Sequence, residues 1–387
     1  MTRHDVTILS ADDEDDRRTW LAAWRDCGRE PFAHPAYVEL FAGSPGEHAR
    51  CLVARSEGSV AILPFVLRPI AHEVRELGPQ VVDAISPYGY GGPYGNTRHL
   101  AARIWSPLAA WMRSEGVVSL FARLALDAVL PTDLPADTVV GTTAENVVVD
   151  LTRPEAEQWL HYEHKVRKNV KKALHAELSV TITSQFANLG EFVALYHDTM
   201  SRRDASAFYR FDYSFFETLQ REMPENCIAV EVRDHVGRLV SAELVLSSDR
   251  LLYSYLGGTR EDAFPARPND LLKHEVINYG RETGRRGYVL GGGYSAGDGI
   301  FRYKRSFDPT GSVPFRTLRL IADGPAYALL TAAHGCEDTV GEDGDEGFFP
   351  VYRRPVPGSQ PGPDGLDARP SGSPMDMQAF RERQSHG

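Results

Sequence analysis

The chain has 387 residues and a net charge of −11, with 42% hydrophobic and 25% charged residues, ordinary proportions for a soluble globular protein. Aromatics at 10% and 25 prolines argue against a coiled coil, and no apolar run approaches the ~18 residues of a membrane helix. The four cysteines (Cys27, Cys51, Cys227, Cys336) are scattered, with no CxxC pair and no histidine at ligand spacing, and Met1–Asp5 lacks the apolar core of a signal peptide. The expectation is a reduced, cytoplasmic protein without membrane insertion or a metal site.

The acidity is unevenly distributed. Residues 1–16 carry −5, residues 336–350 carry −6 and residues 351–387 carry +1, so the body between them is close to neutral. The two acidic stretches read as solvated, mobile ends. Among 42 basic residues only six are lysines, and four of these (Lys165, Lys168, Lys171, Lys172) fall within eight positions.

In chain order, Asp12 to Cys27 is helical, with Trp20, Leu21, Ala23 and Trp24 on its apolar side, and Pro35 to Phe41 is a short helix. Cys51 to Ala54 and Val60 to Leu67 are strands around the turn Glu57-Gly58. Val81 to Ile85 is a further apolar run, leading into Ser86-Pro87-Tyr88-Gly89-Tyr90-Gly91-Gly92-Pro93. His99 to Arg113 has helical periodicity, and Val117 to Leu124 and Val147 to Leu151 are strands. Pro154 to Glu177 reads as one long helix. A strand (Leu178 to Thr183), two helices (Leu189 to Arg202, Tyr213 to Glu222) and three meander strands follow, at Cys227 to Val232, Leu239 to Leu246 and Leu251 to Leu256. Leu271 to Thr283 is a helix capped by Asn269 or Asp270. Gly287 to Leu290 is a strand, Gly299 to Ser306 a short helix, Val313 to Ile321 a strand and Pro325 to Ala333 the last helix.

The order is that of an α/β protein with mixed sheets, two related halves side by side. The division is 1–148, 149–335, and an acidic then Pro/Gly-rich tail over 336–387 that reads as disordered.

Three segments carry candidate chemistry. At ~100° per residue, His161, Lys165, Lys168, Lys172 and His175 share one helix face, while Trp159, Tyr162, Val166, Val170 and Ala173 face another. That basic stripe is either a solvated face or a surface that tracks phosphates, since lysine is a mobile point charge suited to a backbone. Ser86 to Pro93 is either a tight turn or a close backbone approach to a ligand, with Tyr88 and Tyr90 as walls. Gly291-Gly292-Gly293-Tyr294-Ser295-Ala296-Gly297-Asp298-Gly299 matches neither GxGxxG nor a P-loop, which argues against dinucleotide chemistry and nucleotide hydrolysis. After it comes Phe301-Arg302-Tyr303-Lys304-Arg305-Ser306-Phe307, with a lysine set among aromatics.

Arg167-Lys168-Asn169-Val170-Lys171-Lys172-Ala173 resembles the R-x-N-x-x-K-A helix of the Fem-type aminoacyl transferases, and Phe301 to Phe307 resembles their F/Y-K-x-x-F segment. Tyr253-Ser254-Tyr255 before Gly257-Gly258 is similar to their central strand end. The resemblance covers roughly 30–335 and implies two tandem GNAT-like acyltransferase domains. It implies transfer of an amino acid from aminoacyl-tRNA, as co-substrate and with no further cofactor, to the amine of a small peptide or peptidyl acceptor. That acceptor is a cell-wall precursor or a peptidyl natural product. By the same resemblance Tyr303 and Lys304 form the reaction centre, with Lys304 stabilising the oxyanion and Tyr303 and Phe301 holding it by cation–π contact. Tyr253, Tyr255, Arg210 and Tyr213, with Tyr88 and Tyr90, would contact substrate; Lys165, Arg167, Lys168 and Lys172 would contact tRNA.

Two alternatives stay open. One is an acyl-CoA-dependent N-acyltransferase, but Arg260 to Asp270, where such enzymes carry a glycine-rich pyrophosphate loop, contains no glycine. The other is a non-catalytic binding module.

Overall fold

The computed structural model describes residues 5–78, 80–203, 205–293, 297–335 and 348–354. Contacts divide them into two units, one running to Thr143 and resuming at Pro314, the other spanning Ala144–Val313.

The first unit begins with a strand that the sequence reading missed, β1 (Asp5–Ser10), followed by α1 (Glu14–Asp26). The acids before and within α1 are not a loose end. Asp13 caps the helix by accepting from the amides of Asp15 and Asp16, and Glu14, Asp15 and Asp16 lie where the helix dipole favours negative charge. The Trp20 and Trp24 indoles donate to Ala33 O (2.9 Å) and Glu30 O (2.8 Å). These bonds tie α1 to the segment leading into α2 (Pro35–Leu40). There follow β2 (His48–Ser56), β3 (Ser59–Pro69), β4 (Val82–Ile85), β5 (Tyr94–Gly95), α3 (Arg98–Ala102), α4 (Trp105–Ser114) and β6 (Val117–Arg123). The single helix expected over 99–113 is thus two.

The second unit takes up the end of β7 (Thr138–Asp150), then α5 (Glu155–His161), α6 (His164–His175), β8 (Ser179–Thr183), α7 (Leu189–Arg202) and α8 (Tyr213–Glu222). The meander β9 (Cys227–Arg233), β10 (Leu239–Ser247) and β11 (Leu251–Thr259) comes next, then α9 (Pro268–Glu282), β12 (Gly287–Gly291) and α10 (Gly299–Arg305). β13 (Ser312–Ile321) leads back to the first unit, where α11 (Gly324–Ala333) completes the order. Residues 314–335, grouped by sequence pattern with the second half, therefore lie by contact in the first unit.

The two units share one plan. In the first the strand order is β1-β2-β3-β4-β6-β13, with every pairing antiparallel except the parallel β4–β6. In the second the order is β8-β9-β10-β11-β12-β7, again antiparallel except for one parallel pair, β11–β12. The expected mixed α/β architecture of two related halves is what the chain forms.

Part of the expected tail is fixed. Arg353 Nε donates to Asp83 Oδ2 at 2.5 Å, and Tyr352 OH and Ser119 Oγ are 2.8 Å apart. Asp83 is fully buried and also accepts from Arg68 Nε (2.9 Å), so two guanidiniums satisfy a carboxylate that burial alone would make costly. Composition hides this because the anchoring partners lie more than two hundred residues away. The rest of the expected tail, 336–347 and 355–387, lies outside the described residues.

Candidate functional site

The second unit has an opening built into its sheet. β11 and β12 pair in parallel only over Leu251–Tyr253 and Gly287–Val289. Beyond these residues β11 continues to Thr259 and β12 to Gly291 without further pairing to each other. Crevices at the carboxyl ends of parallel strands are where α/β sheets bind ligands. A bulge shapes this one: Leu244 pairs with Leu256, but Val245 pairs with Ser254, which leaves Tyr255 as the extra residue. Because side chains alternate along a strand, the extra residue turns Ser254 onto the face of Glu243 and Val245.

That face holds a buried polar cluster. Lys273 Nζ, from α9, donates to Glu243 Oε1 (2.6 Å), Ser254 Oγ (2.7 Å) and Tyr288 OH (3.2 Å). Tyr288 OH donates to Glu243 Oε2 at 2.8 Å, and Ser254 Oγ donates to Oε1. Both carboxylate oxygens and the ammonium are satisfied, the condition under which a buried ion pair is tolerated. Burial first, and then the Glu243 charge, push the Tyr288 phenol well above its ordinary range.

α10 carries Lys304. Asp298 caps the helix by accepting from Phe301 N (2.7 Å), while Phe301 and Phe307 are buried. Lys304 Nζ donates to Gly292 O at 2.7 Å. The expected cation–π contact with Tyr303 or Phe301 is not formed; the carbonyl holds the ammonium instead. Gly291 has φ +77°, and a Cβ on Gly292 would stand 2.6 Å from Glu145 O, so the two glycines let this carbonyl reach the lysine. Lys304 is half-buried, crowded by protein yet not closed off. Its pKa falls to about 7, first from burial and next from the Lys273 charge, with Glu243 opposing. Tyr303 OH accepts from Asn269 Nδ2 (2.9 Å), and its ring meets Phe307 edge-on at 5.4 Å.

The lysine helix is broken. Tyr162 adopts extended backbone between α5 and α6, and Glu163 N donates to Ser306 O (2.9 Å). Val166, Val170 and Ala173 are buried as the period requires, and Lys165, Lys168, Lys171 and Lys172 are exposed. His161 leaves the stripe and bonds Asp308 Oδ1 at 2.8 Å. Arg167 donates to Leu160 O (2.9 Å) and Tyr162 O, so its guanidinium closes the end of α5.

The N-terminus of α9 offers few amides to a ligand. Pro268 has no N–H, and the amides of Asp270 and Leu271 both donate to Arg267 O. The Asp270 carboxylate, 5% exposed, accepts from Asn169 Nδ2 (3.1 Å), and burial pushes its pKa up. Neither Asn269 nor Asp270 caps the helix as expected, because each side chain is drawn to another element.

The remaining expected contacts disperse. Tyr253 is buried in β11 and Tyr255 is half-buried at the bulge. Tyr213, 48% exposed, starts α8, and Arg210 is exposed just before it. Tyr88 and Tyr90 belong to the first unit, where Tyr90 packs edge-on against Phe32 (5.4 Å) and Phe315 (5.6 Å). Tyr294, Ser295 and Ala296 lie outside the described residues. Sequence reasoning missed Glu243, Ser254, Lys273, Tyr288 and Asn146. The signal for the first was present: Glu243 is the lone charge in the apolar run Leu-Val-Ser-Ala-Glu-Leu-Val-Leu.

Residues 161–305 match the model of the acetyltransferase (GNAT) domain family. That stretch of the chain is similar to a GNAT domain. The match spans the interval from His161 to Arg305 that contains the lysine helix, the parted strands and Lys304. Among solved structures, FemX is 12% identical over 84% of this chain and 99% of its own, with a TM-score of 0.62. L-PGS from Bacillus licheniformis is 14% identical over 84% and 97%, with a TM-score of 0.52. The C-terminal domain of a putative lysylphosphatidylglycerol synthetase from Agrobacterium fabrum is 14% identical over 82% and 96%, with a TM-score of 0.50. At these identities the likeness is one of fold, and the fold is the GNAT type in its Fem-like form. No curated protein sequence matches the chain. Among the described residues no helix is long and apolar enough to cross a membrane.

Proposed function

We propose that this GNAT-fold chain is a cytoplasmic acyltransferase that takes an amino acid from aminoacyl-tRNA and passes it to the amine of a small peptide or peptidyl acceptor. The observation that carries the reading is Lys304 Nζ beside the parted strands, together with an α9 N-terminus poor in available amides. Acyl-CoA binding on this fold would draw on that helix end, where Pro268 has no N–H, the Asp270 amide already donates to Arg267 O and the buried Asp270 carboxylate disfavours an anion, which leaves the Asn269 amide. The exposed lysines of α6 lie on an element that packs against α9 and suit a polyphosphate chain. The fold likeness to FemX and to lysylphosphatidylglycerol synthetases supports the same reading.

The chemistry follows from the donor. An aminoacyl ester is already activated, so no separate cofactor is called for. The acceptor nitrogen attacks the ester carbonyl, forming the C–N bond and a tetrahedral oxyanion. Collapse breaks the C–O bond, and the proton lost by nitrogen ends on the leaving ribose oxygen. Lys304 faces the oxyanion. Burial makes its charge costly in the resting protein, and an oxyanion relieves that cost only as the transition state forms.

The deciding experiment incubates the protein with a mixed charged-tRNA pool, with acyl-CoA in parallel and RNase as a control. RNase-sensitive labelling of an amine acceptor is expected; labelling from acyl-CoA alone would overturn the reading in favour of the CoA-dependent alternative.

A further inference from the structure

Asn146 lies at the end of β7 that belongs to the second unit, and is 4% exposed. Its Nδ2 is enclosed and has no hydrogen-bond partner among the described residues. Leaving such a donor unpaired costs about 1–3 kcal/mol, so a buried carboxamide in this condition asks for an explanation. The surroundings supply one. A Cβ built on Gly291 would stand 3.4 Å from Lys304 Nζ and 4.0 Å from Asn146 Oδ1, and one on Gly292 would stand 3.7 Å from the same Oδ1. Because Gly291 has no side chain, the position over it lies between the lysine and the carboxamide, and these are the two described atoms within 4 Å of it outside its own stretch of backbone.

We propose that Asn146 is a second donor to the tetrahedral centre, acting with Lys304 across the space over Gly291. This rests on the acyl-transfer reading. No bond from Nδ2 to a described residue fixes the orientation of the carboxamide, and the terminal torsion of Asn is broad and two-fold. A half-turn puts the NH2 over Gly291 without moving the backbone. An oxygen that gains negative charge there receives one bond from Lys304 and one from Asn146, while a neutral planar carbonyl gains less from either. The proton balance of the reaction is unchanged, because the carboxamide donates a hydrogen bond and gives up no proton.

Two ligands separate charge development from simple binding. One is an aminoalkylphosphonate ester of adenosine, tetrahedral and anionic; the other is 3′-aminoacylamino-3′-deoxyadenosine, planar and neutral at the same position. The wild-type protein is expected to bind the phosphonate more tightly than the amide. Asn146→Ala is expected to weaken the phosphonate at least tenfold and leave the amide within twofold. Asn146→Asp, which keeps the shape and replaces the donor with a carboxylate, is expected to weaken the phosphonate further. The melting temperature of Asn146→Ala should equal or exceed that of the wild type, since an unpaired group is removed; a structural asparagine would lower it. Equal effects on both ligands, or none on the phosphonate, would overturn the role of Asn146 alone. If the wild-type protein binds neither ligand, the acyl-transfer reading falls and the role of Asn146 falls with it.

Discussion

Lys273 Nζ lies 2.6 Å from Glu243 Oε1, with both side chains more than nine-tenths buried beside the parted strands β11 and β12. Removing one partner strands the other charge away from water. Lys273→Met should therefore cost about 3–5 kcal/mol of stability. Adding Glu243→Gln to it should recover a large part of that loss, because the orphaned charge goes. Urea unfolding of the two single variants and the double variant gives the coupling directly.

This pair marks the limit of what the sequence discloses. Local period was legible: the apolar face Val166, Val170 and Ala173 and the exposed lysines of α6 fall where helical spacing puts them. So was the short helix that carries Lys304, though not its Asp298 cap. The break at Tyr162 was not, because Glu163 N is claimed by Ser306 O, a partner far along the chain. The bulge at Tyr255 was not, because it is a mismatch of register between two strands, each regular by itself. Without it Ser254 would face away from Glu243, so the polar cluster was hidden for the same reason. The order of the two sheets was readable as a duplication, yet the sixth strand of the first unit, β13, comes from far along the chain, which no local pattern predicts.

Lys304→Met should retain the fold and lose transfer by about 10²–10³, the usual effect of removing one oxyanion donor. The pH dependence carries more information. The Lys304 pKa of about 7 lies below its ordinary value of 10.5, so the ammonium is progressively lost as pH rises through neutrality. Single-turnover transfer should show a falling limb near that pH. Lys304→Arg, charged throughout, should remove the limb even where its rate is lower.

The same shift bears on stability with a definite sign. Between about pH 7 and 10.5 the unfolded chain binds a proton at this position that the folded chain does not. Stability from this group therefore rises with pH across that window. Lys304→Met should be missing that rise, which unfolding at pH 6, 8 and 10 would measure.

Asp308 should govern part of the acid response. Its carboxylate is fully buried; burial alone would raise its pKa, but Arg153, the Asp150 amide and His161 together hold it below the ordinary 3.8. A depressed carboxylate stabilises the fold above its unfolded pKa, and that contribution is lost as pH falls through the folded value. Asp308→Asn should cost about 1.5–3 kcal/mol near neutrality, the range for hydrogen bonds to a charged group. Its melting temperature should fall less steeply than that of the wild type below pH 4.

The lysine face of α6 is tested by salt. Lys165, Lys168 and Lys172 are exposed and form no ion pair among the described residues, although the Lys165 charge acts on the buried Asp270 carboxylate. Arg167, turned inward onto Leu160 O and Tyr162 O, is not available to a phosphate in the same way. Each phosphate contact releases counterions on binding, so the slope of log affinity against log salt counts contacts. Changing the three lysines to Ala should weaken binding of charged tRNA and reduce that slope by roughly one per lysine. Arg167→Ala should act differently, lowering the melting temperature by loosening the α5–α6 junction while leaving the salt slope nearly intact. A triple variant with an unchanged slope would mark α6 as a solvated face and move the tRNA contact elsewhere on the chain.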